Sequence, residues 1–122
     1  DYARQLTKTV TALASAEPTL FVGRGIHLIL PRDRTLSVRF ICSKEFRIKR
    51  LTDILNIDKT EAQNHLDRCD REQQKFFKTV YQKEVTDLEG IDLIINRDHL
   101  NGTLEAAKIV ACAYEQKFGP EK

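Results

Sequence analysis

Three short runs rich in apolar residues, Thr19–Val22, Val38–Ile41 and Ile91–Ile95, stand apart from stretches whose apolar residues recur every three or four positions. Runs of that length, bounded by glycine or polar residues, read as buried strands, and the three-to-four period reads as one face of a helix. Helical stretches alternate with the runs, and no short turn signal joins one run to the next. Strands separated by helices pair in parallel, because only a long crossover brings the chain back to run in the same direction. The pattern therefore predicts an α/β fold: a parallel sheet covered by helices on both faces, as a single domain over residues 1–122.

Punctuation sets the expected boundaries. Ala3, Leu6, Val10 and Leu13 lie on one face of a helix over Asp1–Ala16, ended by Pro18. Thr19–Val22 is a first strand stopped by Gly23-Arg24-Gly25, and a brief helix over Ile26–Leu30 stops at Pro31. Ser37–Cys42 is a second strand, and Ser43 caps a helix over Lys44–Leu55 with Phe46, Leu51, Ile54 and Leu55 facing inward. Asp58-Lys59-Thr60-Glu61 has capping-box spacing and opens a helix to about Tyr81, with Ala62, Leu66, Cys69, Phe76 and Val80 as its inner stripe. Leu88-Glu89-Gly90 breaks it before the third strand. A last helix starts at Asn101-Gly102-Thr103, carries Leu104, Ala107, Val110, Ala111 and Tyr114 inward, and ends at Gly119-Pro120.

A composition of 41% hydrophobic and 31% charged residues fits a folded globular chain of this size. Its apolar runs are too short to span a bilayer and no secretory pattern opens it, so a cytoplasmic location without membrane association is expected. Cys42, Cys69 and Cys112 are odd in number and form no CxxC, which predicts buried free thiols rather than disulfides or a zinc site. The formal net charge of +2 argues against a nucleic-acid partner. Between Pro31 and Arg50, however, seven basic residues face only Asp33 and Glu45, so an anion could bind there. The chain starts at Asp1 and contains no methionine, so a further upstream segment is expected.

Gly23-Arg24-Gly25 follows the first predicted strand, where ligands of parallel α/β proteins bind. Flanking glycines allow a tight turn and close approach, and the guanidinium offers a planar fork for phosphate; a glycine turn with a surface arginine is the alternative. Arg47 and Arg50, three apart on the helix after the second strand, are either phosphate ligands or a solvated face. Arg68, Arg71, Lys75 and Lys78 form a basic stripe, part of which Asp67 and Asp70 could neutralise. His27, His65 and His99 lack metal-ligand spacing. Ser43 reads as a cap rather than a nucleophile, and Asp87, Asp92 and Asp98 read as caps or turns before metal ligands. The sequence contains no GxxxxGK[ST] loop.

These motifs fall into one order. Phe21-Val22-Gly23-Arg24-Gly25, Leu30-Pro31-Arg32-Asp33, Val38-Arg39-Phe40-Ile41 and Arg47-Ile48-Lys49-Arg50 resemble the middle of cytidylate-kinase-like proteins. Glu61-Ala62, Arg68-Cys69-Asp70-Arg71, Phe76-Phe77, Asp87 and Asp92-Leu93-Ile94-Ile95-Asn96 resemble that family's lid segment and last strand. The resemblance implies a partial P-loop nucleotide kinase fold and transfer of the ATP γ-phosphoryl group to a nucleoside monophosphate, with magnesium. It implies that Gly23, Arg24, Gly25 and Arg47 bind the acceptor. Arg50, Arg68 and Arg71 would surround the transferring phosphates, braced by Asp70.

Departures from the family pattern are specific. Gly25 stands where cytidylate kinases proper tend to carry aspartate, Gln73 where an arginine often follows the lid aspartate, and Arg97 where a small hydroxyl residue is common. Without a phosphate-binding loop in these residues, the chain is expected to be inactive alone, with the missing N-terminal segment or another protomer as its partner. Two further readings stay open: a degenerate, non-catalytic nucleotide- or protein-binding domain of the same fold, and an unrelated anion-binding domain using the Arg32–Arg50 cluster.

Overall fold

The computed structural model describes residues 2–119. Four α-helices and a two-stranded parallel sheet form its regular structure: α1 (Tyr2–Ala16), β1 (Val38–Ile41), α2 (Lys44–Leu55), α3 (Lys59–Phe76), β2 (Leu93–Asn96) and α4 (Thr103–Phe118). Single 3₁₀ turns occur at Ile26–Leu28, Arg32–Arg34 and Arg97–His99. Four helices with a small parallel two-strand sheet are consistent with a partial α/β nucleotide-kinase-like fold. The chain divides into two compact units, one of Asp1–Thr35 with Cys69–Gly90, the other of Leu36–Arg68 with Ile91–Lys122. Among the described residues no helix is long and apolar enough to cross a membrane.

In the second unit β1 and β2 pair in parallel, with Val38 opposite Leu93 and Ile41 opposite Asn96. An aspartate fastens each end of this short ladder. Before the strands, the Asp92 carboxylate accepts from the Ser37 N–H at 2.9 Å and the Ser37 hydroxyl at 3.3 Å, and Lys117 reaches the same oxygen at 3.0 Å. Beyond them, Asp98 Oδ1 accepts from the Ser43 N–H at 2.8 Å. Four residues per strand leave few ladder bonds, so these end clamps fix register where the ladder itself is short.

Helix caps follow the sequence. Ser43 Oγ accepts from the Phe46 N–H at 3.1 Å and starts α2; Asn56, in the left-handed region at φ 53°, ends it. Asp58 Oδ1 accepts from the Glu61 N–H at 2.8 Å and starts α3. Buried Ile48, Ala62 and Leu66, with Leu51 and Ile57 against them, form the core between α2 and α3. In the first unit Val10 of α1 and Phe77 are buried, and α1 packs against the segment that follows α3.

Several expectations are overturned. Thr19–Val22 is not a strand: no ladder partner runs beside it among the described residues, and Leu20 and Val22 are 88% and 92% exposed. A strand exists only through its neighbour, so apolar side chains alone do not make one. Thr19 instead folds back on the end of α1, its hydroxyl 2.8 Å from the Glu17 carbonyl and 3.4 Å from the Leu13 carbonyl of the helix. Ile54, Leu55, Leu13, Leu104 and Tyr114 are exposed, and α4 buries Ala106 instead. Their faces carry too little covering structure within their own units to bury a full stripe. Cys69 and Cys112 are exposed and Cys42 half-buried, so the thiols are free but not in a core.

Candidate functional site

The turn after α1 is shaped by one glycine. Gly25 is buried in the left-handed region at φ 77°, and its carbonyl accepts from the Leu28 N–H at 3.0 Å to open the next 3₁₀ turn. A Cβ on Gly25 would lie 2.4 Å from Tyr81 Cε2, whereas one on Gly23 would meet nothing within 4 Å. The tight turn thus needs Gly25 and not Gly23. The space beside Gly25 is taken by a tyrosine of this chain.

The same tyrosine holds the next residue back. Tyr81 Oη donates to the Arg24 carbonyl at 2.8 Å, and the Arg24 Cζ sits 4.0 Å from the centroid of the Phe76 ring. The positive guanidinium is attracted to the negative ring face, and a guanidinium held this way keeps edge N–H donors for an anion. Burial pushes the Tyr81 hydroxyl above its ordinary pKa, and Tyr2 adds to that, against a smaller lowering by Arg24. Tyr81 therefore stays protonated and remains a donor at neutral pH.

These rings meet because α3 does not end cleanly. From Phe77 to Tyr81 the helix widens into a π turn, closed by Gln82 in the left-handed region at φ 56°. Phe76, Phe77 and Tyr81 then pack edge to face, with centroids 6.3, 5.8 and 5.5 Å apart, and Tyr2 meets Phe76 at 6.3 Å. Widened turns of this kind are frequent at functional sites. Beside them lies an open cleft of about 440 Å³, with Arg24, Lys75 and Glu72 among its charged lining and Phe76 and Val80 among its apolar lining. That volume is in the range of small-molecule sites.

The second unit has a cleft of about 470 Å³ beside Ile48, where Lys44, Lys49 and Lys59 meet Glu45. Lys44 is also 3.6 Å from Asp67.

The sequence-predicted residues divide between the units. Gly23, Arg24, Gly25, Asp70 and Arg71 belong to the first; Arg47, Arg50 and Arg68 belong to the second. Of these, Arg24 lines the first cleft, and the basic residue beside it there is Lys75 rather than Arg71. Arg50 and Arg71 are exposed, Arg47 and Asp70 half-buried, and Arg68 Nη2 is 3.2 Å from His65 Nδ1. Asp87, Asp92 and Asp98 accept backbone N–H groups. Phe76 and Tyr81 as supports of Arg24 escaped sequence reasoning, although three aromatic residues within six positions at a helix end were a signal.

The profile of the cytidylate kinase-like family matches residues 1–99. The chain belongs to the cytidylate kinase-like family. A search of curated proteins gives no match. Membership makes this a nucleotide-kinase-related chain, of a family whose members in general use ATP and magnesium. The sequence has no glycine-rich GxxxxGK[ST] loop, and the described residues contain no group of three or more His, Cys, Asp and Glu able to hold an ion.

Proposed function

We propose that this chain supplies the acceptor side of a nucleoside monophosphate kinase, with Arg24 binding the phosphate of a CMP-like acceptor. The observation that carries this reading is the Arg24 guanidinium held over Phe76 at the rim of a cleft it shares with Lys75. Two cations near an apolar, ring-containing wall suit a phosphomonoester attached to a heterocycle: the charges meet the phosphate and the apolar lining covers the nucleoside. Gly23 and Gly25 flank the arginine. In the same unit Arg71, oriented by Asp70, serves the transferring phosphates, where charge spread over several oxygens calls for fixed donors. ATP and magnesium supply the phosphoryl group and its charge neutralisation. A phosphate-binding loop from outside these residues completes the site.

Calorimetric titration of the chain with CMP and with cytidine tests the acceptor reading. CMP is expected to bind at least tenfold more tightly, and Arg24→Ala to erase that advantage; equal binding of both ligands by the unmutated chain refutes the role.

A second reading is favoured by one observation. Gly25, where cytidylate kinases proper tend to carry aspartate, is closed off by the Tyr81 ring. On that reading the chain is a non-catalytic nucleotide- or protein-binding member of the family. Binding of CMP and phosphoryl transfer by the protein supplied with a phosphate-binding loop would exclude it.

A further inference from the structure

Arginine side chains on glycine turns are usually mobile, and a mobile cation is a poor phosphate ligand because binding must first freeze it. Arg24 is exposed, yet two contacts from one segment constrain it. Phe76 presents a ring 4.0 Å from its Cζ, and Tyr81 donates a 2.8 Å hydrogen bond to its carbonyl while its ring fills the space beside Gly25. Both residues border the π turn, so a single local widening of the helix delivers the side-chain and the main-chain restraint together.

We infer that Phe76 and Tyr81 are positioning residues that preorganise the Arg24 guanidinium for a phosphomonoester. The inference rests on the phosphate-binding reading of Arg24. Neither aromatic residue touches the phosphate: Phe76 restricts the side chain and Tyr81 fixes the backbone from which it springs. Losing either contact therefore weakens CMP more than cytidine, whereas a merely structural role would weaken nucleoside and nucleotide alike.

The test titrates the full chain with CMP, cytidine and inorganic phosphate. Phe76→Leu keeps an apolar side chain on the cleft wall but removes the ring face under the guanidinium, and is expected to weaken CMP about three- to fivefold more than it weakens cytidine. Phe76→Tyr, which keeps the ring, restores CMP affinity. Tyr81→Phe keeps the packing but removes the hydrogen bond, and is expected to weaken CMP and inorganic phosphate about two- to fivefold. Should Phe76→Leu fail to fold, as judged by circular dichroism, Tyr81→Phe decides alone. If Arg24→Ala removes the phosphate-dependent binding while the folded aromatic variants bind CMP as the unmutated chain does, the positioning role is overturned and the phosphate role stands. Equal weakening of CMP and cytidine also overturns it. If Arg24→Ala itself binds CMP normally, both ideas fall.

Discussion

Gly25→Ala should be far more damaging than Gly23→Ala, although the two glycines flank the same arginine. At Gly25 alanine must adopt φ 77°, a left-handed conformation that costs an L-residue about 1 kcal/mol. Its Cβ would also lie 2.4 Å from Tyr81 Cε2 and 3.0 Å from Cδ2 and Cζ. Carbon atoms pack at about 3.5–4.0 Å, so the ring must move by about 1 Å. That displacement breaks or lengthens the 2.8 Å bond to the Arg24 carbonyl, for about 1 kcal/mol more, and disturbs packing against Phe76 and Phe77. The total is about 2–4 kcal/mol. Gly23 has a Cβ position open to solvent and no positive φ, so its replacement should stay within about 1 kcal/mol of zero. Urea denaturation followed by circular dichroism measures both. A Gly25→Ala, Tyr81→Ala double variant should lose less than the sum of the single changes, because the second removes the clash created by the first. Equal stability of the two glycine variants would refute the argument.

Two further outcomes are expected. Burial raises the pKa of Asp92, but the hydrogen bond from Ser37 N–H and the bond and charge of Lys117 outweigh it, so the carboxyl lies below its ordinary value. A depressed folded pKa contributes stability that is present above the unfolded carboxylate value and lost as pH falls through the folded one. Asp92→Asn should thus cost about 1 kcal/mol at neutral pH and lose its effect in acid, and a difference independent of pH would contradict the assignment. Cys69 and Cys112 are exposed, so two thiols of the folded chain should react rapidly with a disulfide reagent and Cys42 more slowly; a single fast thiol would contradict their placement.

Features written in local chemistry were legible. Ser43 and Asp58 cap α2 and α3 because a short side-chain oxygen followed by an amphipathic run satisfies helix N–H groups wherever the chain goes. Val38–Ile41 and the run before Asn96 pair in parallel as their composition and spacing imply. Features set by neighbours were not. Thr19–Val22 has strand composition without a strand partner, and Ile54 and Leu104 are 64% and 62% exposed on helices whose apolar period placed them inward. Along α3 the expected stripe is off by one position at its end. Phe77, eleven residues after Leu66, keeps the 3.6-residue period and is buried, whereas Phe76 and Val80, which had been placed inside, are half-buried.

The site divides in the same way. An arginine between glycines announces a constrained cation, but what constrains it lies 57 residues further on, at Tyr81, and no spacing rule reaches that far. A glycine at position 25 allows a close approach, but the sequence does not say whether a ligand or the chain itself makes it. Tyr81 makes it. An aspartate at this position, as cytidylate kinases proper tend to have, would need both a left-handed backbone and a displaced tyrosine. On the proposed acceptor reading, selectivity for the base then arises from the cleft lining around Phe76 and Val80, because position 25 can carry no side chain that reaches a nucleoside.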